Sequence, residues 1–450
     1  MTDIFDMTAA GFALANGEIT AIELTERHLA SIRQLQPDLN CFVEINEGAA
    51  RRAAEQADIR YRDGHALSPI DGTLIALKDN INANGFTTRN GTAHPYPFMK
   101  DADVTRQLRD AGAILVGKLN MDECALGTTT NNPHHDCVHN PWRLGYIPGG
   151  SSGGAGAAVA AHLVMAAIGT DTLGSVRLPA AYCGVVGLKA TQGMVSTNGI
   201  VPLSQSLDHV GPICRSVRDA ALMLNILVDN PAENWSCDPV TRGDLKGLRL
   251  GILEQTLCAG WTAEVSLNFN RVKSDFQNAG ATIEVLSISE LDLRELRLQA
   301  LLLIESEGAE ALSKPLLDHP CSFSENLKAM LAYGRNAPLE KKENARNVIS
   351  RISQSVRRAI EQVDLLISPT APQTAFPFSD PTPGNQAELT ALANISGCPA
   401  ITIPSGLDAS GLPLAVQLMA PDHQEARLLS VALYMEGIWG TFSPPLTTTR

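Results

Sequence analysis

Gly169-Thr-Asp-Thr-Leu-Gly-Ser-Val-Arg-Leu-Pro179 follows an apolar run, Leu163 to Ile168, and sits just downstream of a second serine- and glycine-rich stretch, Ile147-Pro-Gly-Gly-Ser-Ser-Gly-Gly154. A small-residue helix over 155–162 separates the two. Upstream of both, an apolar strand is predicted at 73–77, a helix at 103–111, a strand at 113–116 and a helix at 120–126. Strands alternating with helices in this way imply parallel strands covered by helices on both faces, an α/β fold.

Nearer the N-terminus, residues 8–35 read as two amphipathic helices broken near Asn16-Gly17, followed by an extended piece, 41–45, and a helix from Glu47 to about Asp63. Downstream, strand-like segments fall at 247–253, 282–286, 363–368, 399–404 and 413–419, with long helical stretches at 289–312 and 338–362. The Pro- and Thr-rich stretch 372–388 reads as a surface loop and a candidate lid. With no internal repeat and no long linker, the chain is expected to be one domain, 1–450. It divides into a helical layer over 1–60, a core over 60–220, a helical substrate-side region over 289–362, and strands with a helix over 363–440.

The formal net charge of −13 argues against a partner that presents a phosphate backbone, so no nucleic acid is expected. The N-terminal MTDIFDMTAA lacks the basic and apolar regions of a signal peptide, and no run reaches the roughly 18 apolar residues of a membrane span. The expectation is a cytoplasmic protein without a membrane partner. Nine scattered cysteines form no C-x-x-C pair, which points to neither a disulfide framework nor a thiolate zinc site. The one crowded patch, His134-His135-Asp136-Cys137 with His139, has no second set of ligands at metal spacing and is read as an ordinary loop. No metal and no cofactor are expected.

The glycine density of 149–154 lets the backbone take positive φ and approach a ligand closely. A phosphate cradle is the rival reading, but a P-loop needs Gly-Lys-Ser/Thr at its end, and here the helix opens with Gly154-Ala-Gly156. Ser175 lies in a loop after an apolar strand, where the backbone N–H groups of Thr172, Leu173, Gly174 and Ser175 itself are suitable oxyanion donors. Taken alone, such a serine is a turn residue bonding its own backbone. Lys78 changes its context, since a lysine enclosed in an apolar site can be neutral near pH 7 and act as a general base.

The residues Ala76-Leu-Lys-Asp-Asn80, Asn120-Met-Asp-Glu123, Pro148–Gly154, Gly169–Arg177 and Pro179–Lys189 resemble the amidase signature family. Ser206-Leu-Asp-x-x-Gly-Pro212, Gly397–Thr402 and Gly411–Pro413 extend the likeness, which runs from about residue 8 to 437. The resemblance implies a single large α/β domain around a twisted mixed β-sheet. It also implies a triad of Ser175 as nucleophile, Ser151 as bridging serine after a cis Gly150–Ser151 peptide, and Lys78 as base. Asp171 and Arg177 would hold the nucleophile loop. By position, Ala125, Leu126 and Gly127 would line the substrate channel.

Leu173 stands where the family commonly has glycine, and Leu178 stands where members acting on acidic amides carry a cation. Both favour an uncharged, partly apolar acyl group. The central motifs are most similar to those of indoleacetamide hydrolases. The expected function is hydrolysis of a small neutral amide, aryl amides included, or a carbamate through a seryl acyl-enzyme. The alternatives are the A subunit of a tRNA-dependent amidotransferase, with glutaminase activity and partner subunits, and a urea or ester hydrolase. A small-molecule substrate is expected, and the resemblance allows a homodimer.

Overall fold

The computed structural model describes residues 6–97, 100–228, 236–239 and 243–445. Its strands are β1 (Phe42–Ile45), β2 (Leu74–Lys78), β3 (Ile114–Leu119), β4 (Asn131–Asn132), β5 (Asp136–Cys137), β6 (Ala166–Asp171), β7 (Val186–Lys189), β8 (His209–Cys214), β9 (Arg249–Leu253), β10 (Thr282–Leu286), β11 (Leu365–Pro369), β12 (Ala400–Leu407) and β13 (Pro413–Met419). All but the β4–β5 ribbon join one 11-stranded sheet in the order β1-β3-β2-β6-β8-β7-β12-β13-β11-β9-β10. The chain is therefore a single α/β domain with a large mixed sheet flanked by helices.

Two runs are parallel, β3-β2-β6 and β11-β9-β10. Between them β6, β8, β7, β12, β13 and β11 pair antiparallel in turn. The alternation of elements thus describes the two ends of the sheet and misses its middle. The reason lies in β7 and β8: one is four residues long, and the other carries Gly211 and Pro212 inside it. A proline within a run argues against a strand, yet Pro212 is paired with Ile168 in register.

Every residue of β2, β3 and β6 is buried, as expected of strands covered on both faces. β6 runs three residues further than the apolar stretch suggests, ending on Asp171 rather than Ile168. The helix after the glycine loop, Gly153–Ala160, owes its close seat to missing side chains: a Cβ on Gly154 would lie 2.5 Å from the Asn120 carbonyl oxygen.

The N-terminal helices, Met7–Ala15 and Ala21–Leu39, break at the expected place, with Gly17 at φ 69°. The second starts with a Thr20/Glu23 capping box. On the other side, helices Leu293–Ala311, Glu325–Asn336 and Leu339–Ile360 form a layer of their own. The apolar faces of Leu293–Ala311 and Leu339–Ile360 join Leu173 and Leu178 in a second core beside the Ser175 loop, while Leu327 and Leu331 of Glu325–Asn336 belong to a third, smaller one.

The helix expected at 120–126 does not form. In its place is a single 3₁₀ turn, Glu123–Ala125, with Cys124 and Ala125 at φ 51° and 60°. Tertiary bonds claim the groups a helix would use: the Cys124 N–H donates to Asn90 O, while the Glu123 carboxylate accepts from the Ser324 N–H at 2.8 Å. No helix among the described residues is long and apolar enough to cross a membrane.

Candidate active site

Lys78 closes β2 and is fully buried. Its ammonium nitrogen donates to Ser151 Oγ at 2.7 Å and to Thr170 Oγ1 at 2.8 Å, with Thr170 O at 3.5 Å. Burial pushes its pKa down to about 7, although Asp122, Asp208 and Asp171 pull the other way. The apolar strand supplies the low dielectric, and the hydroxyls supply partners that a neutral amine can use.

Ser151 is presented by a loop in which the Gly150–Ser151 peptide is cis and Gly149 has φ 85°. The loop is packed too tightly for side chains, since a Cβ on Gly150 would lie 2.1 Å from Asp122 Oδ2. Thr130 staples its two ends: its hydroxyl donates to Gly149 O at 2.8 Å and accepts from the Gly153 N–H at 3.0 Å. The two serine segments are tied where the Ser152 N–H donates to Ser175 O at 3.3 Å.

The loop bearing Ser175 hangs on a buried ion pair. Arg177 Nε donates to Asp171 Oδ2 at 3.0 Å and its Nη2 to Asp171 Oδ1 at 3.1 Å, both side chains being inaccessible. Burial alone would raise the Asp171 pKa, but the Arg177 guanidinium holds that carboxyl well below the usual carboxylate range. Arg177 reaches on to Gln417 Oε1 at 3.0 Å and Asn394 Oδ1 at 2.6 Å. These two residues lie far along the chain, and nothing in their local sequence marks them.

One expected oxyanion donor is corrected. The Gly174 N–H already donates to Asp171 Oδ1 at 2.7 Å, so it serves the loop rather than a substrate. Gly174 instead supplies conformation, with φ 122° and no room for a Cβ beside Thr390 Oγ1, 2.3 Å away. The N–H groups of Thr172, Leu173 and Ser175 remain as candidates.

Ser175 lines a cavity of about 260 Å³ together with Ala125, Leu126, Gly127, Leu173 and Leu178, so the expected substrate-side residues are brought to one place. The expected lid loop contributes Thr382 to Gly384, Gln386 and Ala387. Gln386 latches it, donating to Thr128 Oγ1 at 2.9 Å and accepting from the Tyr182 hydroxyl at 3.2 Å. The helical region expected on the substrate side over 289–362 supplies the opposite wall, where Arg297, Leu301, Ile304, Glu305 and Met330, none of them singled out by the sequence, reach the cavity. Amphipathic spacing identifies those helices, but it does not say which turn meets the serine.

Within the His134–His139 patch Cys137 Sγ meets His139 Nε2 at 3.6 Å, and the other bonds lead outward. His134 meets Glu123 Oε1 at 2.9 Å, His135 meets Thr92 O at 3.0 Å, and His139 Nδ1 accepts from the Gly145 N–H at 3.0 Å. Among the described residues no group of three or more His, Cys, Asp or Glu is placed to hold a metal ion.

A mixed α/β sheet that carries a buried lysine against a cis-peptide serine loop, with a second serine at a cavity, belongs to the class of serine-dependent amide hydrolases. A family model described as Amidase matches residues 23–429, and the chain belongs to that family. The A subunit of glutamyl-tRNA(Gln) amidotransferase from Synechococcus sp. (strain RCC307) is 36% identical over 94% of this chain and 95% of its own. A crystal structure of an amidase superposes with a TM-score of 0.90 at 30% identity, covering 97% of this chain and 100% of that one. The corresponding A subunit from Thermotoga maritima superposes at 0.78 with 27% identity over 92% and 91% of the two chains.

Proposed function

We propose that this amidase-signature hydrolase cleaves a small primary amide through a Ser175 acyl-enzyme and releases ammonia. The observation that carries the reading is the 2.7 Å bond from a buried Lys78, its pKa near 7, to Ser151 Oγ. Neutral Lys78 takes the Ser151 proton as Ser151 takes that of Ser175, and Ser175 Oγ bonds to the amide carbon. The N–H groups of Thr172, Leu173 and Ser175 are the donors available to the resulting oxyanion. Ser151 then passes a proton to the leaving nitrogen, the C–N bond breaks, and ammonia departs. Water adds to the acyl carbon by the same route and frees the acid.

Labelling by a serine-directed fluorophosphonate tests the assignment. Wild-type protein should be labelled and Ser175→Ala should not; equal labelling of both would overturn the role of Ser175.

For the finer question of which amide, the amidotransferase relatives favour glutamine as ammonia donor over the aryl amide, carbamate or indoleacetamide readings expected from Leu173, Leu178 and the central motifs. A role as the A subunit of such an enzyme is therefore the second reading, and it brings partner subunits with it. Glutamine turnover that rises when a co-purifying partner is present would establish it. Release of ammonia from simple amides by the chain alone, with glutamine inert, would count against it.

A further inference from the structure

Of the residues lining the Ser175 cavity, two carry charge, Arg297 and Glu305. Their situations differ. Arg297 Nε donates to Glu388 Oε1 at 3.3 Å, with both side chains largely buried, so its charge is already balanced. Glu305 is half-buried, and no hydrogen bond or ion pair joins its carboxyl to a described residue. Burial is the one influence on that carboxyl, which it pushes up to about 7.

The position of Glu305 is set by packing. Helix Glu325–Asn336 crosses Leu293–Ala311 at Gly334, where a Cβ would come within 2.3 Å of the Glu305 carbonyl carbon. A carboxylate held by its backbone at a cavity wall, without a partner, is an electrostatic vacancy suited to a cation.

A second observation points the same way. Glu305 and Leu301 also line a neighbouring groove of about 940 Å³, whose other charged residues are Glu295, Glu340, Glu343 and Lys341. The surface leading to this wall is therefore acidic and raises the local concentration of cations.

We propose that Glu305 receives an ammonium group on the acyl part of the substrate, so that the preferred amides are amino amides without a carboxylate. The inference rests on the primary-amide reading, in which ammonia leaves and the rest of the substrate must fill the cavity, and it stands against the second, glutamine reading. Leu126, Leu173, Leu178 and Ile304 would then enclose the methylene chain between the reacting carbonyl and the ammonium. With Arg297 held by Glu388, the lining offers no unbalanced cation to a substrate carboxylate.

The test is titration calorimetry on Ser175→Ala, which binds without turnover. The probes are ω-amino amides with two to six methylenes, each compared with the isostere that has methyl in place of ammonium. At one or more lengths the ammonium compound should bind about tenfold tighter, in keeping with a partly desolvated charge pair. Glu305→Gln in the same background should abolish that preference, and Glu305→Asp should move it to another chain length. Equal binding of each pair, a preference that survives Glu305→Gln, tighter binding of glutamine, or no binding of any probe would overturn the proposal. Fluorophosphonate labelling of the wild type reads the hydrolase assignment separately, so failure of one is not mistaken for failure of the other.

Discussion

Lys78 ends a strand whose five residues are all buried, and the atoms within reach of its amine are the oxygens of Ser151 and Thr170. With its pKa near 7, it holds its proton below that pH and is neutral above it. In the proposed cycle kcat/KM should therefore rise with pH through about 7. Lys78→Met should lower it by about 10²–10⁴-fold and remove that limb, as steady-state rates across pH 5.5–9 on one amide would show. The linkage sign follows. Between pH 7 and the ordinary lysine range the unfolded chain binds a proton that the folded one does not, so this group's contribution to stability grows as pH rises and is lost toward pH 7.

Asp171 is sensitive in a different way, because removing its charge leaves a buried guanidinium without its partner. Asp171→Leu should cost about 3–5 kcal/mol, measurable by urea unfolding. A cost below about 1 kcal/mol would show that Asn394 and Gln417 suffice to hold Arg177.

Among the elements, the crossing of helices Leu293–Ala311 and Glu325–Asn336 is the tightest constraint on the cavity wall. Gly334→Ala should push the helices apart, lowering stability by about 1–3 kcal/mol and weakening substrate binding, seen as a raised KM with little change in kcat. The glycine loops and the outer helices are legible in the sequence because each is local, a matter of glycine density or a helical period, whereas the roles of Lys78, Ser151 and Ser175 come only from the family resemblance. What stays hidden is whatever depends on contacts distant in sequence. β8 hides behind Pro212, the turn at Glu123–Ala125 exists because Asn90 and Ser324 claim its polar groups, and Glu305 differs in sequence in no way from Glu307, which is bonded to Ser204 and Ser206.

Across the domain a continuous sheet runs from β1 to β10, its antiparallel middle joining two parallel runs and β1 adding antiparallel at one edge. Residues of both ends share one core, and the second core draws on the Ser175 loop, helices Leu293–Ala311 and Leu339–Ile360, and β12 alike. Calorimetric unfolding should show one transition despite the 450 residues. Two resolved peaks would mean that the helical wall melts independently of the sheet.

The contacts of Arg177 with Asn394 and Gln417 also order events in time. Lys78, Ser151, Ser175 and the Asp171–Arg177 pair are all synthesised in the first 177 residues, but that pair gains its last partners, Asn394 and Gln417, only when β13 has been made. A prematurely terminated chain would thus hold a buried guanidinium whose hydrogen bonds beyond Asp171 are unmade, and the loop around Ser175 would set last.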